Sequence, residues 1–251
     1  MYYSNLKKNG YLKINIPKFL YIEIKEDILK NINQKFPLQK LNSYQSLINF
    51  FRNLPDKTFK NYFGNNSSRI LSDKCTNRIN SWVQINIPKK INAKKASINL
   101  VSKSDYENNK YLSKNQFSAF YRIVRKLKKD VGFPHKDSSF WKIGDVRKTT
   151  FNHKIVWKLW IPIFGVNKQN TLNMIHASHR DKIKISYIKK NGQLKPKISK
   201  KYINKNLSRI KKPIKSNGSE GILFHSDTVH FAEVNKTSNC RISIEFNILA
   251  K

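Results

Sequence analysis

The stretch GILFHSDTVHFAEVNKTSNCRISIEFNIL, Gly221 to Leu249, decides how the chain is read. Three of its pieces, Gly221–Phe224, Val229–Val234 and Arg241–Leu249, have the apolar and β-branched content of strands. A polar turn through Asn235–Asn239 separates the last two, with His230 on one side and Arg241 and Ser243 on the other. Arg241 lies eleven residues after His230, the span of a strand, a turn and an antiparallel return strand, which would place both residues in one interior. An imidazole is a metal ligand. A guanidinium pairs with a carboxylate through a planar fork, and a hydroxyl two residues along the same strand face can add a third hydrogen bond. The stretch therefore holds half of a metal site and half of an acid-binding site.

The missing half of the metal site lies about a hundred residues earlier, in FPHKDSSFW at 133–141. His135 and Asp137 stand two apart, so on an extended backbone they point the same way and can grip one ion. With His230 they make a 2-His-1-carboxylate set, which occupies one face of an octahedral iron(II) and leaves the other face for a co-substrate and dioxygen. Arg241 and Ser243 would then hold the distal carboxylate of a 2-oxo acid such as 2-oxoglutarate.

These residues sit in a chain of 251 residues, enough for one large β-rich domain with a helical extension. The first part, 1–115, alternates extended and amphipathic segments. Tyr11–Ile16 and Leu20–Ile24 read as strands about Pro17, Glu26–Phe36 as a helix, and Ser43–Phe63 as a helix interrupted at Pro55. GNNSS at 64–68 is a loop signal, and Arg69–Ile87 reads as a helix leading into a strand before Pro88. This N-terminal extension carries no catalytic constellation and is expected to pack on the remainder.

From 116 to 251 the sequence is β-rich and aromatic, with strands expected at Phe117–Val124, Ile155–Phe164 and Leu172–Ile175. A lysine-rich insertion, 180–217, interrupts it. Ile183–Ile188 is its only strand-like piece, and an interval of this length inside a domain is more often a lid or binding loop than part of the frame.

Four passages carry a resemblance to a known family: RIVRKLKKDVGFPHKDSSFW at 122–141, WKLWIPIFGVN at 157–167, NMIHASH at 173–179, and GILFHSDTVHFAEVNKTSNCRISIEFNI. Together they resemble the iron(II)/2-oxoglutarate-dependent dioxygenases, and within them the phytanoyl-CoA dioxygenase-like branch, over about residues 117–249. The resemblance implies a mainly β fold with α additions, a double-stranded β-helix or cupin-like jelly roll. It implies iron(II) on His135, Asp137 and His230 and 2-oxoglutarate on Arg241. The reaction implied converts 2-oxoglutarate and dioxygen to succinate and carbon dioxide while an unactivated carbon of the substrate is hydroxylated. In NMIHASH the chain departs from the family, whose members commonly show Pro-Gly-Ser-His there; His176 and Ala177 replace the Pro and Gly.

Other histidines are weighed against this set. His225 and Asp227 form a second His-x-Asp, but the next histidine, His230, follows within five residues, too close to supply a ligand from an opposite part of the fold. His225 is read as a packing residue, His179 as a fixture of its turn, and His153 as a surface residue. Trp157 and Trp160 are read as core, and Trp141 as core or as a border of the substrate pocket. Arg122 and Arg125 lie on the strand that leads to the site.

The net charge of +35 suggests an alternative, a basic barrel that binds or modifies nucleic acid or another anionic polymer. Two observations weigh against it. The lysines are spread along the whole chain, and Asn247 stands where nucleic-acid dealkylases of the same superfamily carry a second arginine, six residues after Arg241. A small-molecule or carrier-bound substrate is the expectation. The two cysteines, Cys75 and Cys240, are too few for a thiolate metal site, and the chain lacks an apolar run of about eighteen residues, so a soluble cytoplasmic protein is expected.

Overall fold

The structure is a computed structural model that describes residues 2–63, 68–98, 119–127, 130–140, 156–190, 193–237 and 239–250. The expectations for Trp141 and His153 lie outside these residues, and so does the loop expected at 64–68 except for Ser68, which begins a strand.

Three layers are stacked. A helical layer is built from α1 (Tyr2–Asn9), α2 (Lys18–Lys35), α3 (Tyr44–Asn53), α4 (Asp56–Phe63), α5 (Asp73–Asn86) and α6 (Pro88–Ile91). A seven-stranded sheet follows, made of β1 (Tyr11–Asn15), β2 (Ser68–Ile70), β3 (Ala96–Ile98), β4 (Phe120–Val124), β5 (Val156–Phe164), β10 (Glu220–His225) and β12 (Arg241–Ala250). Its order is β1-β10-β5-β12-β4-β2, with β3 on the far part of β12, and every pairing is antiparallel. The third layer is a smaller sheet of β11 (His230–Ala232), β6 (Leu172–Ile175) and β9 (Ile210–Lys211). The segment 132–135 extends it, because His135 and His230 exchange both backbone hydrogen bonds at 3.2 and 3.1 Å.

The period-two alternation of strands sorts the large sheet's side chains into two interiors. Trp157, Leu159, Ile161 and Ile163 of β5, with Ile242, Ile244, Phe246 and Ile248 of β12, join the helices in the main core. Trp160 of β5 and Ile222 and Phe224 of β10 turn the other way, onto Leu172 and Met174 of the small sheet. All nine residues of β5 are consequently buried. Covering a strand on both faces removes the need for a polar face, which is why this run is almost wholly apolar.

The helices form where apolar residues recur at four-residue spacing. In α2 the stripe Leu20, Ile24, Ile28, Ile32 is fully buried. This corrects the expected strand over Leu20–Ile24: Ile22, which a strand would bury beside them, is exposed, and the four-residue spacing continues unbroken to Ile32. Ser43 starts α3 with a reciprocal capping box to Ser46, and Pro55 divides α3 from α4. A second correction concerns the strand expected before Pro88. The stripe Cys75, Ile79, Val83 continues to the buried Ile87, so α5 runs to Asn86 and α6 begins at Pro88.

The described part of the 180–217 interval holds more structure than the single strand-like piece expected of it. It holds a hairpin of β7 (Ser186–Lys190) and β8 (Gln193–Lys197), a short helix α7 (Lys200–Lys205), and β9. The two strands pair from Ser186 with Lys197 to Lys190 with Gln193. Cys75 and Cys240 are both buried and free. No helix among the described residues is long and apolar enough to cross a membrane.

Candidate metal centre

Each ligand is placed by a different local device. His135 ends the 132–135 segment and is held to β11 by its backbone. Lys136 continues extended (φ −108°, ψ 134°), which brings Asp137 to the same side as His135 before a 3-10 turn over Asp137–Ser139 turns the chain away. His230 opens β11. The imidazole Nε2 atoms of His135 and His230 lie 3.5 and 3.8 Å from Asp137 Oδ1. Among the described residues this is the one group of three His, Cys, Asp or Glu whose ligand atoms fall within 4.8 Å of one another.

The ring orientations suit a cation. Nδ1 of His135 lies 2.6 Å from the carbonyl of Phe133, and Nδ1 of His230 lies 3.0 Å from that of Thr228. A carbonyl only accepts, so each Nδ1 carries the hydrogen and each Nε2 presents a lone pair to the common point. Burial pushes the His230 imidazole down to about 4, which keeps it neutral and able to bind a metal. Burial alone would raise the Asp137 carboxyl, but the Lys158 ammonium beside it holds it well below the usual carboxylate range. Two neutral imidazoles and a carboxylate, with no thiolate, form a donor set that fits iron(II).

The second half of the site is on β12. Arg241 and Ser243 are both buried and share one face of the strand. Arg241 donates from Nη1 to the carbonyl of Asn170 at 2.6 Å, and its guanidinium carbon lies 6.0 Å from the centre of the Trp160 ring. Its Nε and the Ser243 hydroxyl are buried without hydrogen-bond partners. Unpaired buried donors are costly and rare, so these two mark a place built for an acceptor. Burial lowers the Arg241 guanidinium to about 10, still charged at neutral pH.

Two residues that sequence reasoning did not single out complete the polar lining. Lys158 of β5 puts its Nζ 3.3 Å from Asp137 Oδ2 and 3.0 Å from Glu245 Oε2, and Arg122 of β4 approaches Glu245 at 3.7 Å. The signal was present: Lys158 is the lone charge in IVWKLWIPIF, and Glu245 the lone acid in RISIEFNIL.

The remaining candidates lie elsewhere. His225 accepts from the backbone of Asp227 and packs edge-on against Trp157. The His179 ring meets the carbonyl of Lys7 at 3.0 Å and covers Gly10, where any Cβ would come within 2.5 Å of it. Arg125 lies on the helical side of the sheet, paired with Asp130 and Asp56 and stacked on Phe59. Ala177 has φ +58°, the left-handed conformation that glycine adopts without strain. β11 and β12 do not pair with each other as a hairpin: β11 belongs to the small sheet and β12 to the large one.

No family model matches the sequence, and no curated protein matches it. Solved structures do. A non-heme monooxygenase, ThoJ in its apo form, superposes with a TM-score of 0.53 at 8% identity, covering 100% of this chain and 77% of its own. The chain shares its fold with solved non-heme oxygenases. EctD from S. alaskensis, solved with 2-oxoglutarate and 5-hydroxyectoine, matches with a TM-score of 0.52 at 11% identity over 99% of this chain and 74% of its own. The non-heme alpha-ketoglutarate-dependent epimerase SnoN from nogalamycin biosynthesis matches with a TM-score of 0.50 at 10% identity over 99% of this chain and 80% of its own. EctD has also been solved with bound Fe. In this oxygenase fold the present chain carries the grouped His135, Asp137 and His230.

Proposed function

We propose that the protein is an iron(II)/2-oxoglutarate-dependent oxygenase that hydroxylates a small molecule. The observation that carries this reading is the coexistence, between the same two sheets, of a His-Asp-His group with both Nε2 atoms free and of two orphaned donors on Arg241 and Ser243. The strand order supports a double-stranded β-helix as the frame. β10-β5-β12-β4 of the large sheet face a second set of four, 132–135 with β11, β6 and β9.

In this reading His135, Asp137 and His230 hold iron(II), which when bound supplies the activation of dioxygen coupled to decarboxylation of the 2-oxo acid. Arg241 and Ser243 bind and orient the distal carboxylate of 2-oxoglutarate, Arg241 through its charge and Nε, Ser243 through its hydroxyl. The apolar wall of Trp160, Ile222, Phe224, Leu172 and Met174 keeps water from the space between the sheets. Nothing among the described residues points to a carrier-bound substrate or to nucleic acid. Asn247, in the position of the dealkylases' second arginine, is buried on β12 opposite Lys158.

Anaerobic addition of iron(II) and 2-oxoglutarate tests the reading. A weak visible charge-transfer band is expected in the wild type and not in His230→Ala. Absence of the band from wild-type protein that has bound iron would reject 2-oxoglutarate as co-substrate.

A further inference from the structure

Asp137 uses its two oxygens differently. Oδ1 faces both histidine Nε2 atoms, at 3.5 and 3.8 Å. Oδ2 faces away from them toward the ammonium of Lys158, at 3.3 Å. That contact lacks the alignment of a hydrogen bond, so Lys158 acts on Oδ2 as a point charge.

An ammonium buried this deeply is expensive unless it is compensated on the spot. Glu245 compensates it at 3.0 Å and is itself approached by Arg122. Asp137, Lys158, Glu245 and Arg122 thus alternate in sign across β5, β12 and β4, and their charges cancel. Because Glu245 and Arg122 stand behind it, Lys158 is held in place without Asp137, and its position is set by the large sheet rather than by the metal loop. This is the arrangement of a fixed counter-charge rather than of an incidental ion pair.

A carboxylate binds a cation through one oxygen or through both. A 2-His-1-carboxylate centre works only with one: three protein ligands leave three positions on an octahedral ion, and a chelating carboxylate would take one of them. We propose that Lys158 is a positioning residue that restrains Asp137 to single-oxygen ligation by holding Oδ2 off the metal. The proposal rests on the metal site of the preceding section and assigns Lys158 a role in keeping its third open position.

Manganese(II) as a spin probe tests this without turnover. Water-proton relaxation in the Mn(II)-loaded protein counts the waters on the ion, and electron paramagnetic resonance counts the ions bound. Wild type should hold about three exchangeable waters per ion, and Lys158→Met about two, so the relaxivity per bound ion should fall by about a third. Lys158→Arg, which keeps the charge, should restore the wild-type value, a rescue that a purely structural lysine would not require. If Lys158→Met does not fold, Lys158→Met/Glu245→Gln removes both buried charges together and should show the same fall. A wild-type relaxivity in Lys158→Met, or in Lys158→Met/Glu245→Gln where only that variant folds, overturns the proposal. Failure of the wild type to bind Mn(II), or binding that survives His230→Ala unchanged, would instead reject the metal site itself.

Discussion

Arg241 and Ser243 stand two residues apart on one strand, and each buries a donor that nothing in the described chain accepts. Backbone pairing with β4 fixes both residues and β5 also pairs with Ser243, so the donors are preorganised rather than recruited. A charge-assisted hydrogen bond contributes roughly 1.5 to 3 kcal/mol. Arg241→Ala should therefore weaken 2-oxoglutarate binding by roughly tenfold to a hundredfold or more. Ser243→Ala should cost less, about 1 kcal/mol. Anaerobic titration of the charge-transfer band gives the Kd, and Mn(II) affinity should be retained in both variants. Equal loss of metal and 2-oxoglutarate binding would mean that Arg241 supports the fold instead.

The two His-x-Asp motifs should separate cleanly. His230 belongs to the motif at 135–137, whereas His225 is engaged with Asp227 and Trp157. His230→Ala should lower Mn(II) affinity by more than about a hundredfold, since even loss of a residue behind a ligand costs ten- to a hundredfold. His225→Ala should leave it near wild type. Calorimetric titration of both variants decides, and the reverse pattern would transfer the centre to the second motif.

Ala177 offers a stability test away from the chemistry. Its left-handed backbone strains a side chain that glycine lacks. Ala177→Gly should stabilise the protein by about 1 kcal/mol, with a rise in Tm of roughly 2–4 °C. Thermal unfolding of the two proteins is the measurement, and a destabilised glycine variant would show that the turn relaxes out of this conformation.

Acid should loosen the 181–209 interval. Asp181 receives hydrogen bonds from the Tyr202 hydroxyl and, at 2.9 Å, from Arg209, which also holds the carbonyl of His176. Burial alone would raise the Asp181 carboxyl, but these partners bring it below its ordinary value. A depressed folded-state pKa means that the folded state binds fewer protons. The contribution is present in full above about pH 4 and is lost as pH falls through the folded value. Asp181→Asn should therefore have a lower urea midpoint than wild type at pH 6, and the gap should narrow by pH 3. A gap that is constant with pH would place the effect in packing.

Much of the candidate site was legible because its chemistry restricts residue types. Iron(II) and a dicarboxylate call for imidazole, carboxylate and guanidinium, and His135, Asp137, His230 and Arg241 stand out at spacings that strands can use. Lys158 and Glu245 were visible as charges in apolar runs, yet their meaning was not. A lone lysine in such a run reads equally as an edge position or an error of pattern until the sheet order shows that both faces of β5 are covered. The strand expected at Leu20–Ile24 failed for a related reason. Five residues fit either period, and only the core that α2 buries selects the helical one.

By itself the sequence determined the local quantities: where strands and helices recur, which side chains share a strand face, and which residue types can bind metal and carboxylate. These follow from backbone periods of two and 3.6 and from side-chain chemistry, both readable within a short window. Only the tertiary structure decided that β11 and β12 belong to opposite sheets and that Lys158 lies behind Asp137. Those depend on pairings between residues tens to hundreds apart. The free energy of such pairings comes from burial between layers, a term that no local pattern contains.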